Sequence, residues 1–235
     1  MCTIIFAHGV FDGFALASNR DESYERTFSP PEKRETEEGW VFAPRDDRAG
    51  GTWIGFNDDG IVVTLANLPV YYDEARSRGK LCDDLLRAST VEEARSLLRD
   101  TYATHDYEGF NVVVGSPDAC FVGVNDGSLR LVEPDEGVNV VTNSPFDEPS
   151  KKAERVAEAA PEPYGHANAH DWLKETRSLL SDHEVGVCVH DDENRYGTTS
   201  SNLLHVSSNP CDSSWLFADG APCETPYERV FPAAD

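Results

Sequence analysis

The sequence predicts an α+β fold built as a single domain over residues 1–235, with antiparallel strand groups alternating with pairs of helices. Three observations carry this. Short alternating or β-branched runs bounded by turn residues cluster at the beginning, middle and end of the chain. Two blocks of helical periodicity separate those clusters. The resulting order fits α+β layers rather than a doubly wound parallel sheet. At 235 residues one compact core is expected, with no internal repeat and no low-complexity linker to divide it.

The first hairpin is expected from CTIIFAH (2–8) and FALASN (14–19), joined through the Asp12-Gly13 turn signal. A second follows from GTWIGFN (51–57) and IVVTLAN (61–67) around Asp58-Asp59-Gly60. Helices are expected over 77–89 and 90–102, the latter opened by Thr90 and Glu93 at capping-box spacing. FNVVVGS (110–116), ACFVGVN (119–125), SLRLVE (128–133) and VNVVTN (138–143) read as a meander broken at Pro117-Asp118, Asp126-Gly127 and Pro134-Asp135. A second helical block covers 150–160 and 169–180. Strands return with VGVCVH (185–190), NLLHVSS (202–208) and SWLFAD (214–219).

Lys and Arg total 20 against 43 Asp and Glu, a formal net charge of −23 that sets nucleic-acid phosphates and anionic membrane surfaces aside as partners. The acid is spread along the chain and Lys is scarce beside Arg, a pattern suited to a salt-rich, halophilic cytoplasm. There a Debye length of about 3 Å near 1 M salt screens the self-repulsion of such a shell. The N-terminal segment lacks a positive n-region, and His8 and Asp12 break its apolar run. A signal peptide and a membrane span are therefore not expected, and a cytoplasmic location is. Six cysteines at 2, 82, 120, 188, 211 and 223 form no CxxC pair and no zinc-ribbon spacing, so no metal ligand is assigned.

Cys2 sits directly behind Met1. An ordinary thiol with a pKa of about 8.5 is only a few per cent thiolate at neutral pH, and a catalytic cysteine needs a base or a positive charge at hand. Removal of Met1, favoured by the small side chain behind it, would give Cys2 a free α-amine with a pKa of about 7.7–8.0 that can take the proton. The competing reading of the dipeptide alone is a buried thiol on an edge strand. Asn19-Arg20-Asp21-Glu22 closes the second strand of the same hairpin, and antiparallel pairing brings that end back beside position 2. An Arg there depresses the thiol pKa and an Asp orients the α-amine, whereas such a quartet by itself is commonly a solvated strand end.

MCT at the start, NRDE at 19–22, GGTWIGFNDDG at 50–60 and YGTTSS at 196–201 resemble the NRDE family, also known as the transport and Golgi organisation 2 family, over nearly the whole chain. More distantly the sequence is similar to the choloylglycine hydrolase and penicillin V acylase group of N-terminal-nucleophile hydrolases. The resemblance implies a four-layer αββα sandwich of that type, acting on a non-peptide amide or related acyl bond of a small molecule. It implies Cys2 as nucleophile and Asp21 as the partner of its α-amine. Asn67, in TLANLPVYY, and Asn143, in VTNSPFD, would form the oxyanion hole, Asn67 through its backbone N–H and Asn143 through its side-chain amide. Each such donor is worth about 10²–10³ in rate. Taken alone, both asparagines read equally well as turn residues. The acylases carry an Arg where this chain has Ser18, and Arg20 is placed to serve instead because i and i+2 share a strand face. Thr199 stands where the family usually has Arg, which leaves Arg195 or Arg48 to replace that charge.

Trp53, Asn57 and Tyr71 are the substrate-binding candidates; with Phe56 and Tyr72 the aromatic residues suit an apolar acyl pocket, and core packing accounts for them equally well. His166 and His170 in HANAH, and Cys188 with His190, are the metal-like pairs, outweighed by the usual surface roles of such residues. No cofactor is expected for the hydrolase reading. Eukaryotic members of the resembled family are linked to Golgi organisation, lipid homeostasis and haem handling, so the alternative is a binding or trafficking protein for a hydrophobic ligand. In that reading Cys2 would be an axial haem ligand, with His8 or His190 as the second.

Overall fold

The computed structural model describes residues 2–37 and 39–232. In chain order the elements are β1 (Thr3–His8), β2 (Phe14–Ser23), β3 (Phe28–Glu35), β4 (Trp40–Asp46), β5 (Ile54–Asn57), β6 (Val62–Asn67), α1 (Arg78–Leu85), α2 (Val91–Thr104), β7 (Phe110–Gly115), β8 (Cys120–Asn125), β9 (Leu129–Val132), β10 (Gly137–Val141), α3 (Lys151–Ala159), α4 (Ala169–Leu180), β11 (His190–Asp191), β12 (Tyr196–Val206), β13 (Ser214–Ala218) and β14 (Glu228–Phe231). They form two antiparallel sheets. One runs β10-β1-β2-β12-β13-β14 with β11 added to β12, and the other runs β3-β4-β5-β6-β7-β8-β9.

Strand periodicity explains the layering. Alternate residues of a strand face opposite sides, and in β1 and β2 both sides are buried. Ile4, Phe6, Phe14 and Leu16 point between the sheets and meet Phe42, Ile54, Phe56 and Val113 of the other sheet. Ile5, Ala7, Ala15 and Ala17 point the other way and meet Trp172, Leu173 and Val156 of α4 and α3. The outer face of the second sheet packs Val63, Val112 and Val114 on Leu81, Leu85 and Leu98 of α1 and α2. The expected α+β fold is therefore a four-layer αββα sandwich.

Helix starts follow their caps. Thr90 Oγ1 accepts from Glu93 N at 3.1 Å, and the Glu93 carboxylate reaches back to Ser89 N at 2.9 Å, one residue before the cap. Ser150 and Asn168 cap α3 and α4 in the same way. Gly51, which begins GTWIGFN, is required by a close approach: a Cβ there would run into the Gly79 backbone. Thr52 N donates to Gly79 O at 3.1 Å, so β5 starts only at Ile54 while residues 51–53 are drawn toward α1.

VNVVTN, expected as the last strand of the meander, is β10 and lies in the other sheet, paired with β1, because the chain leaves β9 at the edge of the second sheet. Three further differences from the sequence expectation have local causes. Strand β3 carries Pro30 and Pro31, which argue against a strand, but it is an edge strand and both prolines lie in the irregularity between Ser29 and Glu32 where pairing lapses. β4 and β14 were also not anticipated; β14 is the far edge of the first sheet. VGVCVH is mostly turn, because Val187 N and Cys188 N both donate to Asp182 O and Gly186 adopts φ 82, leaving only His190–Asp191 as strand.

Asn57, an expected substrate-binding residue, is a structural clamp instead. Its Nδ2 donates to Leu86 O and Ala88 O at 3.0 and 2.8 Å, and its Oδ1 accepts from Asp59 N and Ile61 N, tying the β5–β6 turn to the end of α1. Truncating it leaves buried backbone groups without partners. Asn57→Ala is expected to lower the unfolding free energy by about 2–4 kcal/mol, read from the urea midpoint, without changing the alkylation rate of Cys2 in the native state.

Candidate active site

The β1–β2 pairing sets Thr3 opposite Asn19, so the register carries Cys2, one residue ahead of β1, opposite Arg20. On its other edge β1 pairs with β10, Ile4 opposite Val141, and the same register continued sets Cys2 beside Asn143. Asp21 follows along β2 and is held by β12. There Thr198 pairs with Asp21 and Ser200 with Arg20, leaving Thr199 as a bulged residue between them. Bulges re-aim side chains. Thr199 Oγ1 accepts from Arg20 Nη1 at 2.9 Å and donates to Arg20 O at 3.2 Å, while Thr198 Oγ1 donates to Asp21 Oδ1 at 2.7 Å.

The second sheet supplies the facing wall. Asn143 Nδ2 donates to Asn67 O at 2.6 Å, stitching the end of β10 to the end of β6 across the sandwich. Leu68 N bonds Gly109 O and Leu65 N bonds Trp53 O. Antiparallel alternation then turns the Asn67 N–H toward the β5 side, past the start of that strand. Cys2, Arg20, Asp21, Trp53 and Asn67 all line one cleft of about 270 Å³, with Arg26, Arg76, Arg78 and Glu108 around them. Trp53 Nε1 and Asn143 Oδ1 are buried with no hydrogen-bond partner among the described residues.

Buried charge dominates this cleft. Arg20 is 5% exposed, lies 4.5 Å from the Trp53 ring centroid and pairs with Asp46 at 3.5 Å and Glu22 at 3.7 Å. Burial pulls its pKa down, opposed by Glu22, Cys2 and Asp46. Burial also pushes the Cys2 thiol up, reinforced by Asp21 and opposed by Arg20. The Asp21 carboxyl is pushed up to about 6, again chiefly by burial, with the Thr198 hydroxyl and Lys152 acting to lower it. Asp46 stays below the usual carboxylate range despite burial, because Arg26 Nε bonds it at 2.7 Å and Ala49 N donates to it.

Several expected residues fall elsewhere. Asn57 is the buried clamp described above. Tyr71 is 73% exposed and outside the cleft wall, Tyr72 is exposed, and Phe56 is packed between the sheets, so of the aromatic candidates only Trp53 lines the cleft. Neither Arg195 nor Arg48 replaces the charge missing at Thr199: Arg195 is exposed and pairs with Glu25 at 3.4 Å, and Arg48 is exposed outside the cleft. Arg26 and Arg78 bring charge instead, Arg78 held by Glu108 at 2.9 Å and by Gly109 O. His8 stands at the opposite end of β1 from Cys2, its Nε2 3.2 Å from Pro134 O. His190 lies with Cys188 and Cys223, and the pair does not converge on Cys2. His166 precedes α4 and has both ring nitrogens engaged, by Glu162 O and Glu175, while His170 Nε2 is 2.9 Å from Ser214 Oγ, so these two imidazoles share no site. Removal of Met1 concerns a residue outside the described ones.

Residues not singled out from sequence are also present. Thr198 holds Asp21, and Lys152 in the first turn of α3 buries its Nζ with no hydrogen-bond partner among the described residues. Burial lowers the Lys152 pKa while the charges of Asp21 and Cys2 raise it. No local motif announces it, because α3 reaches the site only through packing.

Comparison with known proteins agrees with this geometry. The family model described as transport and Golgi organisation 2 matches residues 1–212. The mouse transport and Golgi organization 2 homolog is 28% identical over 151 residues, 58% of this chain and 52% of the mouse protein. The Bos taurus homolog is 28% identical over 149 residues with the same shares, so the match spans about half the length of these relatives. Among solved structures, penicillin V acylase from Agrobacterium tumefaciens superposes with a TM-score of 0.59 at 14% identity, over 98% of this chain and 87% of that one. A Caenorhabditis elegans N-acylethanolamine-hydrolyzing acid amidase ortholog gives 0.59 at 12% identity over 87% and 92% of the two chains. Conjugated bile acid hydrolase from Clostridium perfringens gives 0.55 at 11% identity over 98% and 92%. At these identities the superpositions establish a shared N-terminal-nucleophile hydrolase fold. With the family model matched over residues 1–212, the chain belongs to the transport and Golgi organisation 2 family.

Proposed function

We propose that this protein is a cysteine amidohydrolase of the N-terminal-nucleophile type, acting on an amide or related acyl bond of a small molecule once Met1 is removed. The observation that carries the reading is the convergence of Cys2 with Arg20 and Asp21 of one sheet and Asn67 of the other on a single cleft. The fold shared with penicillin V acylase and conjugated bile acid hydrolase supports it.

In the proposed mechanism the α-amine of Cys2 accepts the thiol proton and Sγ attacks the substrate carbonyl carbon. The negative charge on the carbonyl oxygen is met by the Asn67 N–H and by the Asn143 Nδ2 hydrogen not given to Asn67 O. Collapse breaks the C–N bond, and the protonated α-amine returns its proton to the leaving amine. Water, deprotonated by the same amine, then attacks the thioester carbonyl to release the carboxylic acid and restore the thiol. Asp21 orients the α-amine, Arg20 offsets the high thiol pKa, and Arg78 at the rim suits a polar or anionic end of the substrate.

With Met1 removed, Cys2→Ala is expected to keep the fold and lower amide turnover on the order of 10³-fold or more, measured on a panel of N-acyl amines. Unchanged turnover would end the reading, as would a native protein that retains Met1 in the cell. In that case the cleft serves a ligand-binding protein without turnover.

Asp21 makes a second, independent test. Its folded pKa of about 6 exceeds an unfolded value of about 3.9, so the folded state binds more protons between those limits and loses stability as pH rises through them. Ionising Asp21 therefore costs roughly 3 kcal/mol by pH 7. Asp21→Asn is expected to be more stable relative to the parent at pH 7.5 than at pH 4.5 by denaturant titration, while losing turnover. A pH-independent stability difference would show that Asp21 does not ionise at a cost there.

A further inference from the structure

The loop after α4 doubles back on itself. Val187 N and Cys188 N converge on Asp182 O, Val185 N donates to Asp182 Oδ1 at 2.6 Å, and Gly186 takes φ 82, where a side chain would be strained. The turn lays His183 over Cys188, its Nδ1 3.2 Å from Cys188 O. Across Val189, His190 presents Nε2 3.7 Å from Cys188 Sγ, and Cys223 from the loop after β13 brings its Sγ within 3.5 Å of Cys188 Sγ and 3.2 Å of His190 Nε2. One ligand atom from each of His183, Cys188, His190 and Cys223 lies within 4.8 Å of every other.

From this juxtaposition we propose that His183, Cys188, His190 and Cys223 form a Cys2His2 site for a zinc ion, separate from the Cys2 cleft and independent of the hydrolase reading. Zinc bonds of about 2.3 Å to sulfur and about 2.0–2.1 Å to nitrogen place tetrahedral donors roughly 3.3–3.8 Å apart. The separations among Cys188, His190 and Cys223 span 3.2–3.7 Å. Two thiolates and two imidazoles select zinc over the hard cations magnesium and calcium, which take oxygen ligands. The His183 Nδ1 contact with a backbone carbonyl is the outer bond that fixes the tautomer of a metal-bound imidazole and leaves Nε2 for the metal. Cys188 is buried while His183, His190 and Cys223 are exposed, so the ion has a route in.

Four protein donors make a closed, structural centre rather than one with an open catalytic position. Its place in the fold gives it a task. Val189, between two of the ligands, donates its N–H to Thr198 Oγ1 at 2.9 Å and accepts from Thr198 N at 2.8 Å. Thr198 Oγ1 in turn holds Asp21 Oδ1. The ion therefore fastens the turn that positions Thr198, and through it Asp21, to the loop that carries Cys223.

The test uses the whole chain with zinc and cobalt ions as probes. Protein produced in zinc-supplemented medium and purified under reducing conditions is expected to carry equimolar zinc by mass spectrometry of the metal, and stripping it lowers the Tm. Cys223→Ser, at an exposed position, is expected to weaken zinc by more than about tenfold in competition with a chromophoric chelator. Cobalt(II) added to stripped parent protein is expected to show intense tetrahedral visible bands with thiolate charge transfer, a readout that needs no substitution. Undiminished zinc affinity in Cys223→Ser, a pale octahedral cobalt spectrum, or a Cys188–Cys223 disulfide in zinc-replete reduced protein would each overturn the site.

Discussion

The register of β1 against β2 is the constraint on which the rest of the molecule depends. Both faces of this hairpin are buried, and the two faces differ in size. Ile4, Phe6, Phe14 and Leu16 fill the space between the sheets, whereas Ala7, Ala15 and Ala17 let α3 and α4 approach. A slip of one residue would drive Phe6 into the helix layer and leave an alanine-sized gap between the sheets. With that pairing set, Cys2 has one address, between the Arg20 end of β2 and the Asn143 end of β10.

Around that address the chain keeps charges that a purely structural core would avoid. Arg20 and Asp21 are buried, and the Asp21 carboxyl sits well above its ordinary range. Burying such groups costs free energy unless they are paired, so the surroundings supply pairing: Asp46 and Glu22 for Arg20, the Thr198 hydroxyl for Asp21, and the Trp53 ring as a flat wall. Perturbed groups gathered in a cleft are what make it the candidate site. The bulge at Thr199 belongs to the same scheme. It turns the Thr199 hydroxyl onto the Arg20 guanidinium and so holds Arg20 in place.

The outer layers serve the cleft from a distance. Gly51 lets the segment before β5 close on Gly79, which brings Trp53 and the 76–79 arginine loop to one side of Cys2. On the other side α3 aims Lys152 inward, and the turn beyond α4 supports Thr198. No helix of the described residues is long and apolar enough to cross a membrane. The acid that dominates the composition is largely on the surface, Asp21 and Asp46 being the buried carboxylates among the described residues, while the cleft sets four arginines against four carboxylates.

The sequence by itself determined the hairpins, the three-strand run β7-β8-β9, the helices and the residues gathered at the cleft, but not that the fourth strand expected in that meander, β10, crosses to pair with β1 in the other sheet. The features it determined depend on local periodicity, turn chemistry and short motifs, and Cys2, Arg20, Asp21, Trp53 and Asn67 do line one cleft. It misplaced Asn57 and Tyr71 because a motif says which residues travel together, not which way each side chain points. Asn57 turned its amide to Leu86 and Ala88, and Tyr71 turned to solvent. Tertiary structure alone decided the edge strands β3 and β14 and the strand β4 between β3 and β5, whose prolines or charges hide their pairing. It alone buried the Lys152 ammonium and brought Cys223 to His183, Cys188 and His190. Contacts between residues dozens of positions apart leave no period or spacing in the chain; they arise only when separate elements pack onto the same sheet.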